Sequence, residues 1–420
     1  MLKHDFLNLV DSYIDIWDEL EEPMFIKKKF SHLTQTIKYF KIKSQMKRTF
    51  SSINIKYKHL KQSKENLSFS KESEEEMWVL RACCMNNKEL SHLIELWLEL
   101  DIKNMENNIQ GDYIGCTEEF IKRVKETWPN MEESQVFQAL RNVWIMIALK
   151  IMFSNNPNDL VLTNSIFAYS MLYPLTDNLL DNPNILQVEK LDFSKRLEKR
   201  LKGNILSPKN TEEKDIFDMI SLIEQEYCRK SYPKVYESLL LIHEAQTNNI
   251  KNQYMNPEKN DIKKSTFEKG AASVVADGYL VMGDLTQTQM DFLTGYGIVL
   301  QLADDLQDIE EDEAVNHTTI ANSCPNKELQ EYILNLLKLS EKILDKIDFN
   351  EDYVNKEMKI ILLRSMETLI SDAVLKNKKR LDTYFYKRIS KASPIGLEKY
   401  LKLKNYSIGE IENIKPKLMP

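Results

Sequence analysis

The sequence predicts an all-α protein, and three observations carry that reading. Only 10 glycines and 12 prolines punctuate 420 residues, a scarcity that suits long helices with short connections better than a sandwich or barrel of many tight turns. Apolar residues recur at mixed three- and four-residue steps, as Trp78, Leu80, Leu90, Leu93, Ile94, Trp97 and Leu98 do. No run of strand-like alternation persists, and no repeat of fixed period is found. Apolar residues at 42% and charged ones at 29% are ordinary for a soluble globular chain.

The first segment, residues 1–66, reads as helical and, in its second half, basic. From Lys27 to Lys64 there are twelve Lys or Arg and no acid, in a chain whose net charge is −7. Such a stripe fits an anionic membrane surface, although a solvated helical face has the same composition. Tyr39, Phe40, Phe50 and Tyr57 interleave with it, and no nucleic-acid partner is expected. The opening "MLKHDFLNLVDSYIDIWDEL" scatters acids among its apolar positions, unlike a secretory core. "KQSKENLSFSKESEEE" at 61–76 is the best linker candidate. Residues 67–130 read as a helical extension or early bundle helices, and 131–420 as the main helical bundle.

Within that bundle "VWIMIALKIMF" (143–153) is interrupted by Lys150 and too short to span a bilayer, so it is expected to be a buried helix. Breaks fall at "SNNPNDL" (154–160), "DNPN" (181–184) and "NPEKND" (256–261). Ser265-Thr266-Phe267-Glu268 has the form of a capping box and is expected to open a helix. That helix continues through Gly270, Ala271, Ala272, Ala276 and Gly278 to Gly283, and its small residues imply close approach of another helix or of a ligand. A second helix from about Thr286 carries "YGIVLQLADDLQD". The cysteines Cys83, Cys84, Cys116, Cys228 and Cys324 are odd in number and form no C-x-x-C pair. They read as reduced thiols of a cytoplasmic protein.

The chemistry concentrates in two acidic stretches. Asp304 and Asp308 are spaced to share a helix face, with Asp305 beside them and Asp312 a further turn on. Two carboxylates about 6 Å apart at an effective dielectric of about 20 repel by roughly 3 kcal/mol. Solvent relieves this at a surface; a magnesium ion shared with phosphate oxygens relieves it more fully. Gln301, one turn before Asp305, is placed to donate an amide hydrogen bond at the same rim. "YPLTDNLLDNP" repeats the pattern with Asp177 and Asp181, and Asn178 lies between them. Facing helices of a bundle build metal sites from such pairs.

These residues resemble the aspartate-rich motifs of the class I isoprenoid synthases. "GIVLQLADDLQD" is similar to the second motif of the prenyl diphosphate synthases, G-x-x-x-Q-x-x-D-D-x-x-D, at Gly297, Gln301, Asp304, Asp305 and Asp308. "TDNLLD" resembles the first motif, D-D-x-x-D, with Asn178 in place of its second Asp. "EKGAAS" (268–273) stands where that family keeps a diphosphate-binding lysine, which points to Lys269. The resemblance spans about residues 140–320. It implies the isoprenoid synthase fold, a large antiparallel helical bundle, here with extra N-terminal helices. It also implies more than one Mg2+ held by Asp177, Asp181, Asp304, Asp305 and Asp308, and often a homodimer. Two departures matter. Chain-elongating members follow the first motif with an Arg-Arg pair, and "NPNILQVEK" has no arginine. Many bacterial cyclases use N-D-x-x-S-x-x-x-E, and positions 304, 305, 308 and 312 have that spacing but are all Asp.

The resemblance is thus closest to bacterial terpene cyclases with prenyl-synthase-like aspartate motifs. It implies a magnesium-dependent lyase that ionises one linear prenyl diphosphate and releases pyrophosphate with a terpene hydrocarbon or alcohol. The alternatives are a prenyltransferase, head-to-tail or head-to-head, and a non-catalytic helical interaction protein. Candidate diphosphate and substrate contacts are Lys269, Gln301, Asn178, Arg196, Arg200, Arg229 and Tyr173. Lys230 is a further helper, and one of Arg380, Lys387 and Arg388 is a candidate to close over the site. Tyr169 and Tyr173 precede Asp177 by two turns and one, placed to line an apolar pocket and shield a cation, although aromatics at helical spacing also build plain cores. Pro174 would remove a backbone donor between them and Asp177. Gly295 and Gly297 would give Tyr296 room to swing.

Overall fold

A computed structural model describes residues 2–19, 23–63, 88–98, 107–153, 160–180, 185–254, 259–346 and 353–418. Among the described residues the chain is helical throughout, with no strand. In order the α-helices are α1 (Leu2–Asp18), α2 (Met24–Lys27), α3 (His32–Ser63), α4 (Lys88–Leu98), α5 (Asn107–Thr127), α6 (Glu133–Phe153), α7 (Asn164–Leu180) and α8 (Gln187–Leu201). There follow α9 (Thr211–Glu226), α10 (Pro233–Tyr254), α11 (Lys259–Met282), α12 (Gln287–Gln307), α13 (Ile309–Ala314), α14 (Asn326–Asp345), α15 (Tyr353–Lys376), α16 (Thr383–Ala392) and α17 (Leu397–Leu418). The linker expected at 61–76 lies largely outside the described residues.

The chain divides into two compact units, each built from two pieces of sequence, where the sequence reading cuts it near 66 and 130. The first unit comprises residues 1–21 and 132–348, the second 22–131 and 349–420. In the first, α11 is central and packs against α1, α6, α7, α10 and α12. Its small residues are the reason. A Cβ on Gly297 of α12 would lie 2.2 Å from the Gly270 carbonyl oxygen, and one on Gly270 would lie 2.6 Å from the Gly297 oxygen. Backbone therefore touches backbone, and what approaches is a helix. The α11–α12 turn is set by Gly283 at φ +76°. It is also set by Thr286, whose Oγ1 accepts from the Gln289 amide (3.2 Å) while the Gln289 side chain accepts from the Thr286 amide (2.9 Å).

Three local expectations are corrected. Ser265–Glu268 do not open a helix, since α11 is already under way from Lys259. Lys263 and Lys264 tie its first turns to Asp18 and Asp11 of α1. Gly295 and Gly297 do not free Tyr296. Gly295 makes room for Tyr13, whose ring a Cβ would strike at 2.6 Å and whose hydroxyl donates to the Asp291 carbonyl (3.0 Å). Tyr296 is buried and stacked on Phe292 at 5.6 Å. Finally, Asp312 is not a further turn of the helix that carries Asp304: that helix ends at Gln307, and Asp308 (φ −104°, ψ 18°) caps it before α13 begins.

Helix α6 has the length and composition of a membrane span over Ser134–Phe153. In this unit it packs against α7 and α11, with Ala139, Val143, Met146, Ile147 and Leu149 buried. Helix α7 passes through Pro174 without ending, and Thr176 Oγ1 bonds back to the Leu172 carbonyl (2.7 Å).

In the second unit α3 packs against α4 and α17, α2 against α16, and α15 against α4 and α17. Ile42, Met46, Ile395 and Leu403 form its core, joined by Tyr39, Phe50, Leu93, Leu96, Trp97 and Tyr406.

Candidate active site

The C-terminal turn of α12 sorts its three aspartates by depth. Leu302, Ala303 and Leu306 are fully buried beneath them. Asp304 and Asp305 are adjacent, so their side chains diverge by about 100° around the helix. Asp304 faces solvent, Asp305 turns inward and is 6% exposed, and Asp308 is half-buried. The amide of Gln301 donates to Asp305 Oδ1 (2.7 Å), as the spacing predicts, while Asp305 Oδ2 is buried with no hydrogen-bond partner. Burial pushes the Asp305 carboxyl up to about 7, against the pull of Gln301 and of the Lys269 charge. Asp304 lies open at its tip but deep in the rim. Its carboxyl is raised by that partial burial and by Asp308, and pulled down by Lys269 and Arg141.

Lys269 is delivered to this end of the unit by the Gly270–Gly297 contact, since Gly270 is its chain neighbour and abuts Gln301 as well. Asp312 leads elsewhere: its Oδ1 lies 3.1 Å from His317 Nδ1.

Helix α7 brings the backbone of Asp177 to the same end. Ser165 Oγ donates to the Leu280 carbonyl (2.9 Å) and the Tyr169 hydroxyl to that of Ser273 (3.2 Å), so α7 runs antiparallel to α11. Twelve residues from Ser165 to Asp177 rise about 18 Å, and eleven from Leu280 back to Lys269 about 16 Å. The Asp177 backbone is therefore level with Lys269. The side chains of Asp177 and Asn178, and all of Asp181, lie outside the described residues. Among the described residues no three acids, histidines or cysteines gather as a metal-holding group.

Other expected contacts are placed differently. Arg196 forks onto Glu213 (2.6 and 2.9 Å) and also donates to the Ser207 carbonyl. Arg200 forks onto Glu224 (2.7 and 2.6 Å), and Arg229 donates to Glu224 and to the carbonyls of Leu201 and Arg200. These guanidiniums knit α8 to α9 and to the turn after it, so their donors are already committed to carboxylates and carbonyls. Lys230 is exposed. Arg380, Lys387 and Arg388 belong to the second unit. Tyr173 is 42% exposed and so lies outside the packed core, whereas Tyr169 is held inward by its bond to Ser273.

Two features escape the sequence reading. Arg141 on α6 is the second cation acting on Asp304. Deeper in, Asp277 on α11 is 1% exposed; Asn142 donates to its Oδ1 (3.1 Å) and also reaches Ser170 Oγ (3.3 Å). Burial pushes the Asp277 carboxyl well up, only partly offset by Asn142, and its field raises the hydroxyls of Tyr169 and Tyr296 in addition to their own burial. Lys269, Ser273 and Asp277 follow at four-residue steps, so this polar cluster lies about 12 Å below the rim on one face of α11. A single Asp within "SVVADGYLV" is its only trace in the sequence.

The rim thus offers an exposed carboxylate, a half-buried one, a buried one with an unused oxygen, and two cations within electrostatic reach. Electrostatically, that arrangement draws positive charge toward the carboxylates and negative charge toward Lys269 and Arg141. No protein-family model matches the chain, and no curated protein or solved structure matches it significantly.

Proposed function

We propose that the first unit is a magnesium-dependent class I isoprenoid synthase of the terpene cyclase type, acting on a single linear prenyl diphosphate. The observation that carries this reading is Asp305 Oδ2, buried and without a hydrogen-bond partner, on the same helix turn as Asp304 and within the field of Lys269. An unsatisfied buried carboxylate oxygen costs stability, and a cation at the rim would supply what it lacks.

Asp304, Asp305 and Asp308 would hold the metal from α12, with Asp177 and Asp181 from α7. When bound, magnesium neutralises charge on a diphosphate leaving group. Gln301 orients Asp305, and Lys269 and Arg141 add positive charge where the diphosphate would lie. The allylic C–O bond breaks with its electron pair leaving on the diphosphate. A double bond of the same chain then attacks that cation to close a ring. The ring cation either gives up a proton to the released diphosphate to form an alkene or captures water, which passes a proton to the same diphosphate, to form an alcohol. The apolar side chains below the acids keep bulk water from that cation. The paired state of Arg196, Arg200 and Arg229 and the absence of an Arg-Arg pair after Asp181 favour one diphosphate over two.

The test is pyrophosphate release from a ladder of linear allylic diphosphates, with magnesium or with EDTA, and mass spectrometry of solvent extracts. Magnesium-dependent release with a cyclic product from one substrate is expected. Asp304→Asn and Asp308→Asn should each lower turnover about 10²–10³-fold while leaving the helical content unchanged. A requirement for isopentenyl diphosphate, with a longer diphosphate as product, would make the protein an elongase. No release from any substrate would remove the enzyme reading.

A further inference from the structure

Helix α3 of the second unit is inverted relative to an ordinary surface helix. Its buried face carries Gln35, Gln45 and Thr49 along with Ile42 and Met46. Those polar groups are satisfied inside the unit. Gln35 Nε2 donates to the carbonyls of Ser390 and Ser393 (both 2.8 Å), and Gln45 Nε2 (2.9 Å) and Thr49 Oγ1 (2.9 Å) donate to that of Glu89. Its outer face carries Leu33, Ile37 and Phe40 at i, i+4 and i+7, exposed by 68%, 50% and 61%, with Ile55 further along the same line at 53%. Scattered exposed apolar residues need no explanation, but an aligned ridge opposite a polar seam does.

Cations flank the ridge. Lys41 and Arg48 lie along its edge, Lys47 beside them, and Lys27, Lys28 and Lys29 precede it; all six are exposed. None of the six forms an ion pair among the described residues, and there is no acid between Lys27 and Lys64. The fold adds charge from a distant part of the chain. The Phe30 amide donates to the Lys391 carbonyl (2.9 Å), which sets exposed Lys391 of α16 beside the Lys27–Lys29 run, with exposed Lys387 one turn away.

We propose that this face docks on an anionic lipid bilayer, with Leu33, Ile37 and Phe40 entering the headgroup–acyl boundary and the lysines meeting lipid phosphates and carboxylates. The combination selects the partner. Nucleic acid would pair with the cations but leave the aliphatic ridge in water, whereas a bilayer interface satisfies both at one depth. An acid-free run of twelve cations complements a negative surface, and the rest of this chain, net acidic, is held off it. The proposal does not depend on the aspartate site, and its readout is separate from pyrophosphate release.

The experiment is flotation of the full-length protein with vesicles of phosphatidylcholine alone or with 30% phosphatidylserine, at low and high salt. Binding only to the anionic vesicles is expected, lost at high salt. Neutralising Lys27, Lys28 and Lys29 to Gln should weaken it about 10²-fold, since each cation near such a surface contributes roughly fivefold. Leu33→Ser with Ile37→Ser and Phe40→Ser should weaken it at every salt concentration, while thermal unfolding stays near wild type because all three side chains are exposed. Equal binding to neutral and anionic vesicles would overturn the proposal, as would wild-type binding by the lysine variant. So would tighter binding to duplex DNA or single-stranded RNA lost with the same lysines, or a ridge variant that changes only the oligomeric state.

Discussion

Replacing Gly297 by Ala tests whether α11 and α12 truly meet backbone to backbone. The new Cβ would stand 2.2 Å from the Gly270 oxygen and 2.8 Å from its carbonyl carbon, where ordinary contact begins near 3.4 Å. The obstructing atoms are main chain, so relief requires the helices to part by about 1 Å. Overpacking of this kind costs about 1–3 kcal/mol. Alanine in a helix interior recovers about 1 kcal/mol over glycine; with main chain as the obstacle the upper end of the overpacking range applies, leaving a net loss of about 2 kcal/mol. Gly115→Ala is the control, because nothing lies within 4 Å of its would-be Cβ, and it should be neutral or stabilising. Urea unfolding read by hydrogen exchange of α11 and α12 peptides reports this unit alone. The same separation would carry Lys269 away from Asp304, so pyrophosphate release should fall with stability. If Gly297→Ala is as stable as wild type, as the control is, the close contact does not exist and the placement of Lys269 loses its basis.

Three further outcomes are expected. Asp277→Asn should gain stability over wild type as pH rises. Burial lifts the folded carboxyl well above 3.8, so below that pH both states are protonated. Above it only the unfolded chain sheds its proton, and the difference should grow by about 1.4 kcal/mol per pH unit until the folded group titrates, measured by denaturation from pH 4 to 8. His243, depressed from 6.5 by burial, makes wild type lose stability as pH falls below about 6.5. His243→Gln should abolish that limb; an unchanged acid profile would refute the assignment. Gln301→Ala removes the one hydrogen bond that the buried Asp305 carboxylate receives among the described residues and should cost about 1–3 kcal/mol, read as a lower urea midpoint.

What could be read from the sequence was local. The Gln301–Asp305 bond and the start of α12 at Thr286 follow from spacings of four and three residues. The close approach at Gly270 follows from residue size. Ser265–Glu268 misled because a capping box acts only where the preceding residue is non-helical. Whether helix continues upstream depends on tertiary packing: Ile262 and Phe267 are buried, and Lys263 and Lys264 meet Asp18 and Asp11 some 250 residues away. Asp277 was illegible for a related reason: its partner Asn142 is 135 residues distant. Arg196, Arg200 and Arg229 were visible as charges, but not their engagement by Glu213 and Glu224. The outward ridge of α3 was hidden because its basic composition says nothing of which face packs.

The weight of the functional reading rests on one asymmetry among acids. A helix end that is acidic only for solubility would turn its carboxylates to water, as Asp304 does, or pair them, as Asp312 does with His317. Neither description covers Asp305. It is buried, it receives one amide bond where an ionised carboxylate can accept several, and its second oxygen has none. The charges of Asp304 and, from the next helix, Asp312 add to the cost of its ionisation. A chain that only needed to fill this space could do so with leucine, and replacing buried charge by apolar side chains is often neutral or stabilising. An inward acid kept under that load, with Lys269 brought within its field by a contact that admits only glycine, is costly as structure, and the cation proposed above would offset that cost.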